Sequence, residues 1–455
     1  MTQYREVEDS MGVMQVPADT YYGAQAQRAA NNFPISTLRL PPAFIQALAM
    51  IKKAAAAVNA ELGLLAQDKA EAIVQAADEI VGGQRYEQFV VDVFQTGSGT
   101  STNMNMNEVL ACRANEIMTG RKEDRTPIHP NDHVNQGQSS NDVIPTTIHL
   151  AAGIQLRRIL DPALAMLQEE LGRQAGVLAA VRKIGRTHLQ DAVPITLGDE
   201  FGGYARQIEL ARERIQAVAP RLQELALGGT AVGSGLNTHP QFAGRVIARL
   251  AAETEIPWRE AANHYQAQAA QDTAVELSGA LKALAAALVK IANDLRWLAS
   301  GPRCGLGEIN LPALQPGSSI MPGKVNPVIP EMLIQVAAQV VGNDATITLA
   351  GTGGNFELNV MLPVIAFNLL QSIELLGNAC RTATEKCIRD ISANPDKCAA
   401  YIEQSLALVT GFVPHIGYDR AAELAYEAYR SGRTVREVAQ ASNLLDEETL
   451  RSVLD

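Results

Sequence analysis

Hydroxyl, amide and ammonium groups are concentrated in a few glycine- and proline-rich stretches of this sequence. One of them, PGSSIMPGKVNP (316–327), contains three prolines and two glycines, so it cannot form a regular helix or a central strand. It presents Ser318, Ser319, Lys324 and Asn326 on a backbone that its prolines stiffen. Neutral donors placed around one ammonium group are well suited to binding a carboxylate.

Four other polar stretches, which we predict to be loops between helices, are rich in similar groups and begin at Gln95 (QTGSGTSTN), His129 (HPNDHVNQGQSSND), Gly185 (GRTHLQD) and Gly228 (GGTAVGSGLNTHP). Each also fits a purely structural interpretation, because Ser, Thr, Asn and Gly are common in turns and helix caps. In that interpretation, SSND forms the N-cap of the helix that follows it, and His188 is a histidine with a structural role. The sequence contains no HExxH motif, P-loop or GxGxxG after a strand, so metal and nucleotide chemistry are poorly supported.

The composition also excludes several classes of partner. The 455-residue chain has 47% hydrophobic residues and a formal net charge of −11. This acidic balance disfavours a surface for nucleic acid or an anionic membrane, so an anionic substrate requires positive charge concentrated in its site. The five cysteines include no CxxC pair, which favours reduced thiols. Neither MTQYREVEDS nor LSGALKALAAALVKIA fits a signal peptide or a membrane span, so we expect a cytoplasmic protein.

Two long stretches repeat apolar residues in alternating steps of four and three, and a third repeats them more briefly. The mean period of about 3.5 is that of helices packed nearly parallel in a bundle or coiled coil. The three seams are Leu277, Leu281, Leu284, Leu288, Ile291, Leu295 and Leu298; Tyr204, Ile208, Ala211, Ile215, Val218, Leu222 and Leu225; and Leu160, Leu164, Leu167 and Leu171. No alternating strand pattern of any length is evident, so we predict an all-α fold. Seams this long also predict a homo-oligomer unless other helices cover them.

The composition changes near Ser139 and again near Asn394 and Pro395. We therefore predict three domains: a mainly helical N-terminal domain (1–138), a central domain of long bundled helices (139–393) and a small helical C-terminal domain (394–455).

The stretch GSSIMPGKVNP resembles the signature of the fumarase/aspartase superfamily, whose members eliminate a group from a succinyl unit and release fumarate or its equivalent. TGSGTSTNMNMNE, HPNDHVNQGQSSND, GRTHLQDAVPITLG and GGTAVGSGLNTHP resemble the other blocks of that family, in the same order. The resemblance covers nearly the whole chain. It implies a three-domain all-α fold whose central bundle assembles into a tetrameric helical core, with each active site built by three subunits.

Two positions distinguish the branches of this superfamily. His188 stands where aspartases typically have glutamine, and Gly323 stands where they tend to have alanine. Both residues are typical of class II fumarases, which hydrate fumarate to malate in the tricarboxylic acid cycle. VIPE and LQDAVP occur in aspartases too, so ammonia elimination from aspartate stays the alternative. A Ser-Lys acyl hydrolase is more remote, because SxxK is absent and no oxyanion-hole motif accompanies the loop.

The resemblance also implies roles for individual residues. Ser318 is the base that removes a proton beside a carboxylate, and the intermediate is a dianionic aci-carboxylate held by Lys324 and Asn326. His188 handles the water on the next carbon, and Glu331 orients that histidine. No cofactor or metal is expected, because each step is proton transfer plus charge stabilisation.

The remaining implied positions form two groups. The substrate-binding group is Ser98, Gly99, Thr100, Ser139, Ser140, Asn141, Thr187, Ser319, Lys324, Val325 and Asn326. A second dicarboxylate site is implied at His129, Pro130, Asn131 and Asp132, with Arg125 shortly before it.

Overall fold

The computed structural model describes residues 3–454, and helices dominate this part of the chain. The α-helices are, in chain order, α1 (Ala24–Asn32), α2 (Pro42–Glu61), α3 (Gln67–Val81), α4 (Thr100–Thr119), α5 (Ser140–Gln155), α6 (Asp161–Val177), α7 (Leu197–Leu222), α8 (Phe242–Thr254), α9 (His264–Ala269), α10 (Asp272–Leu298), α11 (Val328–Gly351), α12 (Leu362–Lys386), α13 (Pro395–Gln404), α14 (Val413–Ile416), α15 (Tyr418–Ser431), α16 (Val435–Ser442) and α17 (Glu447–Leu454). The predicted all-α fold is confirmed.

Short strands outside these helices pair in two-stranded sheets. They are β1 (Tyr4–Asp9), β2 (Gly12–Pro17), β3 (Arg182–Thr187), β4 (Gln190–Thr196), β5 (Glu224–Leu225), β6 (Arg259–Glu260), β7 (Ile309–Asn310), β8 (Gly354–Asn355), β9 (Leu358–Asn359) and β10 (Ser392–Ala393). The antiparallel pairs are β1–β2, β3–β4, β7–β10 and β8–β9, and β5 pairs with β6 in parallel.

The three periodic seams correspond to long helices, as predicted. The first lies in α10 and the second in α7, except that Leu225 falls in β5 beyond the helix end; the third lies in α6, which begins just after Leu160. All the seam residues are buried within the single chain. The reason given for an oligomer was therefore wrong, because these seams need no second subunit to cover them.

Two compact units can be distinguished along the chain. Unit 1 comprises the residues up to Pro162 together with Ala211–Ala285 and Val336–Asn378. Its core includes α2, which packs against α3, α5 and α8, while α3 packs against α4. Phe44, Leu48 and Ile51 of α2 are fully buried in these contacts.

Unit 2 comprises Ala163–Leu210, Ala286–Gln335 and the residues from Ala379 onward. In it, β3 packs against α13, and β4 packs against the 3-10 helix Leu406–Phe412. Phe412, Leu424, Val438 and Leu450 belong to one buried apolar cluster near the C-terminus. The three-domain division made from the sequence stays a prediction.

One helix of the described chain, Leu362–Asp390, is long and apolar enough by length and composition to cross a membrane. Of its most apolar window, 61% is buried inside the protein. Leu362, Ile365, Leu369 and Ile373 are completely inaccessible to solvent. We therefore interpret this segment as a core helix.

The stretch GRTHLQD was expected to be a loop but is a β-hairpin. Arg186 pairs with Asp191 and Thr187 pairs with Gln190, which leaves His188 and Leu189 as the two turn residues. Their φ angles are 54° and 60°, as in a type I′ turn. The usual Asn-Gly signal of that turn is missing, so the sequence pattern did not reveal the hairpin.

Candidate active site

The residues implied by the sequence divide between the two units. Unit 1 contains the stretches 98–100, 129–132 and 139–141, whereas unit 2 contains Thr187, His188, the loop 316–327 and Glu331.

The first group in unit 1 is formed by the glycine-rich turn that leads into α4. Gly99 is the N-cap residue of α4 with a φ of 74°. Ser98 Oγ lies 2.8 Å from Thr100 Oγ1. A Cβ on Gly97 would lie 1.9 Å from the Val360 carbonyl oxygen, so no larger residue fits there. The turn thus holds two hydroxyl groups together at a helix N-terminus, where the helix dipole favours an anion.

The second group lies at the start of α5. Ser139 is the N-cap: its Oγ accepts a hydrogen bond from the Asn141 amide, and its own amide donates to Asp142 Oδ1. The N-cap interpretation of SSND is therefore correct for Ser139. Asp142 Oδ2 also accepts from the amides of Gly228 and Thr230, at 3.0 Å each. The buried carboxylate of Asp142 therefore ties the start of α5 to the 228–230 turn, and burial raises its pKa above the usual range.

The side chains of Ser140 and Asn141 also make specific contacts in unit 1. Ser140 is 8% exposed, and its Oγ accepts a hydrogen bond of 3.0 Å from Asn103 Nδ2. Asn141 Nδ2 donates to the Ala231 carbonyl at 2.8 Å. Asn103 lies within the TGSGTSTNMNMNE block but was not singled out from the sequence. Its contact joins α4 to Ser140 of α5, and no local sequence pattern indicates such a contact.

The implied second dicarboxylate site lies at the π-helical turn Pro130–Val134. His129 Nδ1 accepts hydrogen bonds from the amides of Asn131 and Asp132, at 3.2 and 3.3 Å. His129, Pro130 and Asn131 line a narrow cleft together with Arg125, while Asp132 is exposed outside its lining. The structure therefore places an arginine beside three of the four implied residues.

The same cleft is bordered by Glu108, which caps α1. The Glu108 carboxylate accepts hydrogen bonds from the amides of Gly23, Gln25 and Ala26 at 2.8–3.0 Å. Burial raises the pKa of Glu108 to about 7. This acid therefore changes its charge near neutral pH, next to the implied second site.

In unit 2, the turn that carries His188 is anchored by a buried ion cluster. Thr187 and His188 are exposed, whereas the preceding Arg186 donates two hydrogen bonds of 2.9 Å to the Glu308 carboxylate. Glu308 is fully buried, and so is Lys183, whose Nζ lies 3.4 Å from Glu308 and 2.7 Å from Glu200. The strand that ends at Thr187 is thus fixed by charges that the sequence alone did not connect.

The loop 316–327 is irregular, as predicted, but it is closed on itself. The Gly317 amide donates to the Lys324 carbonyl at 2.7 Å, and Asn326 Nδ2 donates to the Gly317 carbonyl at 2.7 Å. Lys324 is exposed and forms no ion pair among residues 3–454. Asn326 therefore uses one hydrogen of its NH2 group to close the loop, and the second hydrogen is available to a ligand.

Ser318 is the best-defined member of this loop. Its Oγ accepts hydrogen bonds from the backbone amides of Ile320 and Met321, at 3.2 and 2.9 Å. Two amide donors aimed at one hydroxyl oxygen stabilise negative charge on it, which favours the alkoxide. The loop can therefore turn a weakly acidic serine into a base.

Glu331 lies in the first turn of α11. Within the described part of the chain, no hydrogen bond or ion pair joins it to His188. No group of three or more His, Cys, Asp or Glu side chains among residues 3–454 is arranged to hold a metal ion. All five cysteines are free, and of these Cys304 alone is exposed.

Two family models match the chain. A model described as "Lyase" matches residues 12–342, and a model described as "Fumarase C C-terminus" matches residues 408–455. The helical fold and its polar loops are therefore those of a lyase.

Individual relatives narrow the assignment. The chain is 53% identical to a class II fumarate hydratase of Nitrosomonas europaea, over 96% of this chain and 95% of that protein. It is 54% identical to one of Halobacterium salinarum, over 99% and 96%. The crystal structure of the class II fumarase of Schistosoma mansoni superposes with a TM-score of 0.97 at 42% identity, covering 100% of this chain and 98% of that one. The chain belongs to the class II fumarase family.

Proposed function

We propose that this protein catalyses the reversible hydration of fumarate to L-malate, a step of the tricarboxylic acid cycle. The observation that carries the proposal is the similarity to class II fumarate hydratases over almost the whole chain. The arrangement of Ser318 supports it, because the reaction needs a strong base in a site that binds carboxylates.

In the direction of dehydration, Ser318 acts first. Its alkoxide takes the proton from C3 of malate, and the electron pair of the C3–H bond becomes a second negative charge on the adjacent carboxylate. Lys324 and the free amide hydrogen of Asn326 stabilise this dianion. The extra electron pair of the dianion then returns to form the C2=C3 double bond of fumarate as the C2–O bond breaks. The electron pair of that C2–O bond leaves with the oxygen, and His188 supplies the proton that completes a water molecule.

The other implied residues bind and orient the substrate. The hydroxyl and amide donors at the starts of α4 and α5 hold the unreactive carboxylate, where two helix N-termini add a favourable potential. Glu331 orients His188. The residues assigned to substrate contact are Ser98, Gly99, Thr100, Ser139, Ser140, Asn141, Thr187, Ser319, Lys324, Val325 and Asn326.

We also propose that His129, Pro130, Asn131 and Asp132 form a second dicarboxylate site, supported by Arg125 in the cleft. A cytoplasmic location and the three domains 1–138, 139–393 and 394–455 are further proposals. The location is supported by the absence of disulfides among the five cysteines.

Malate and fumarate are expected to interconvert, whereas aspartate is not deaminated, because His188 stands where aspartases typically have glutamine. Ultraviolet absorbance of fumarate measures the first reaction, and ammonia release measures the second. An ester substrate in the same assay tests the acyl-hydrolase alternative. Ammonia release from aspartate at a rate comparable to malate dehydration would contradict the proposal.

We expect a homotetramer in solution, with each active site built from three subunits. The exposure of His188, Lys324 and the apolar side chains of Val341 and Leu349 on α11 supports this proposal. Light scattering at micromolar concentration should give a mass four times that of one chain. Leu349→Glu should lower both the mass and the activity, whereas Tyr429→Glu on the exposed face of α15 should change neither. A monomeric, active wild-type protein would rule out the shared site.

A further inference from the structure

A lysine side chain is buried in the middle of an apolar helix in unit 1. Lys52 of α2 is 0% exposed and follows the equally buried Ile51. A buried ammonium group is costly unless polar groups surround it, so its partners indicate why it is there. Lys53, the next residue, is partly exposed and pairs instead with Asp78 and Glu253.

The ammonium group of Lys52 begins a chain of hydrogen bonds that ends at the candidate site. Its Nζ donates to Asn135 Oδ1 and to Gln138 Oε1, at 2.9 Å each. Asn135 Oδ1 also accepts from Asn103 Nδ2 at 3.2 Å. The same Asn103 Nδ2 donates its other hydrogen to Ser140 Oγ at 3.0 Å.

As long as Lys52 is charged, each hydrogen bond in this series can have only one direction from donor to acceptor. An ammonium group donates and never accepts, so the oxygen of the Asn135 amide must face it. That oxygen in turn requires the NH2 group of Asn103 to point toward it. Ser140 Oγ then accepts from Asn103, so the hydroxyl hydrogen of Ser140 is directed elsewhere and is available to a ligand.

Asp142 provides the opposite charge on the neighbouring α5. It is fully buried like Lys52 and acts on it electrostatically, and it holds the amides of Ser139, Gly228 and Thr230. Burial lowers the pKa of Lys52 to about 7. Lys52 and Asp142 thus fix the start of α5 through separate hydrogen bonds, Lys52 by way of Asn135 and Asn103 and Asp142 through backbone amides.

We propose that Lys52 is a positioning residue: through Asn135 and Asn103 it directs the hydroxyl hydrogen of Ser140 toward the unreactive carboxylate of the substrate. The inference rests on the proposed function, since it assigns Ser140 to a dicarboxylate. Without Lys52, the Asn135 amide loses its charged partner and keeps only neutral ones: it accepts from Asn103 and Asn107 and donates to the Gln138 carbonyl, at 3.2 Å each. A flip of that amide then turns Asn103, and Ser140 donates to Asn103 instead of to the ligand.

The test is steady-state kinetics of Lys52→Met, which keeps the length of the side chain and removes its charge. We expect KM for malate to rise roughly tenfold or more, the effect of losing one hydrogen bond to a charged group, and kcat to stay within about threefold. That split follows because the unreactive carboxylate is bound similarly before and during the reaction.

Two controls separate positioning from loss of stability. Lys53→Met removes the neighbouring charge, and Ile51→Ala opens a cavity in the same helix. Both are expected to keep KM near the wild-type value, although Ile51→Ala should lower the melting temperature.

A double-mutant cycle gives the decisive measurement. If Lys52 acts through Ser140, Lys52→Met should raise KM little further in a Ser140→Ala background. Additive effects on KM, or an unchanged KM in a folded Lys52→Met protein, would overturn the inference while leaving the function of the active wild-type protein untouched. If Lys52→Met does not fold, as judged by circular dichroism, Asn135→Ala breaks the chain at its next link and must show the same split and the same non-additivity.

Discussion

Ser318→Ala should abolish exchange of the malate C3 hydrogen with solvent while the protein still binds dicarboxylates. The substitution removes the single oxygen that accepts from the amides of Ile320 and Met321. Without that oxygen the loop lacks the hydroxyl group that the two amides activate as a base, but the charge of Lys324 remains. Isotope exchange followed by NMR measures the first effect, and calorimetric titration with a dicarboxylate measures the second.

Lys324→Met provides the contrast to this variant. It keeps Ser318 and its two amide donors but leaves the reacting carboxylate without a fixed charge. We expect it to lose affinity as well as turnover, because the lysine acts on the bound substrate and on the dianion alike. Exchange at the wild-type rate in Ser318→Ala would mean that another residue is the base and that the loop only binds.

His188→Asn should lower turnover by roughly 10²–10⁴-fold, the usual contribution of a positioned acid–base group. Asparagine is the appropriate replacement because His188 has a φ of 54°, and asparagine adopts the left-handed region more readily than most residues. The hairpin and the Arg186–Glu308 pair should therefore persist. Steady-state turnover of malate gives the magnitude.

The neighbouring turn residue offers a matched control for this variant. Leu189 has a φ of 60°, so Leu189→Asn introduces the same residue at the other turn position. Its turnover should stay within severalfold of the wild-type value. C3 exchange should survive in His188→Asn, because Ser318 still removes the proton. Turnover near the wild-type value would assign activation of the water to a different residue.

The long helices could be predicted because their signal is local and repeated. Each seam residue of α10 lies three or four positions from the next, and every one of them is buried. The loop 316–327 was equally recognisable, since its prolines and glycines exclude regular structure whatever surrounds them. Both features depend on neighbours in the sequence.

The parts that escaped prediction depend on distant partners. Arg186 and Glu308 are 122 positions apart, and Lys52 is 83 positions from Asn135. No spacing rule connects such pairs, so the charges that fix the His188 turn and the start of α5 could not be found in advance. The burial of Lys52 was also unexpected, because the side chain of a lone lysine in an apolar helix usually extends to the surface.

The hydrogen bonds that close the loop 316–327 have a consequence for its motion. Gly317 is hydrogen-bonded to both Lys324 and Asn326, so the segment from Gly317 to Lys324 is closed at its base. These bonds therefore restrict the movements of the segment to those that keep its base closed. The loop therefore loses little conformational entropy when a ligand binds. Because that cost is small, the few contacts of a small ligand contribute more of their free energy to affinity.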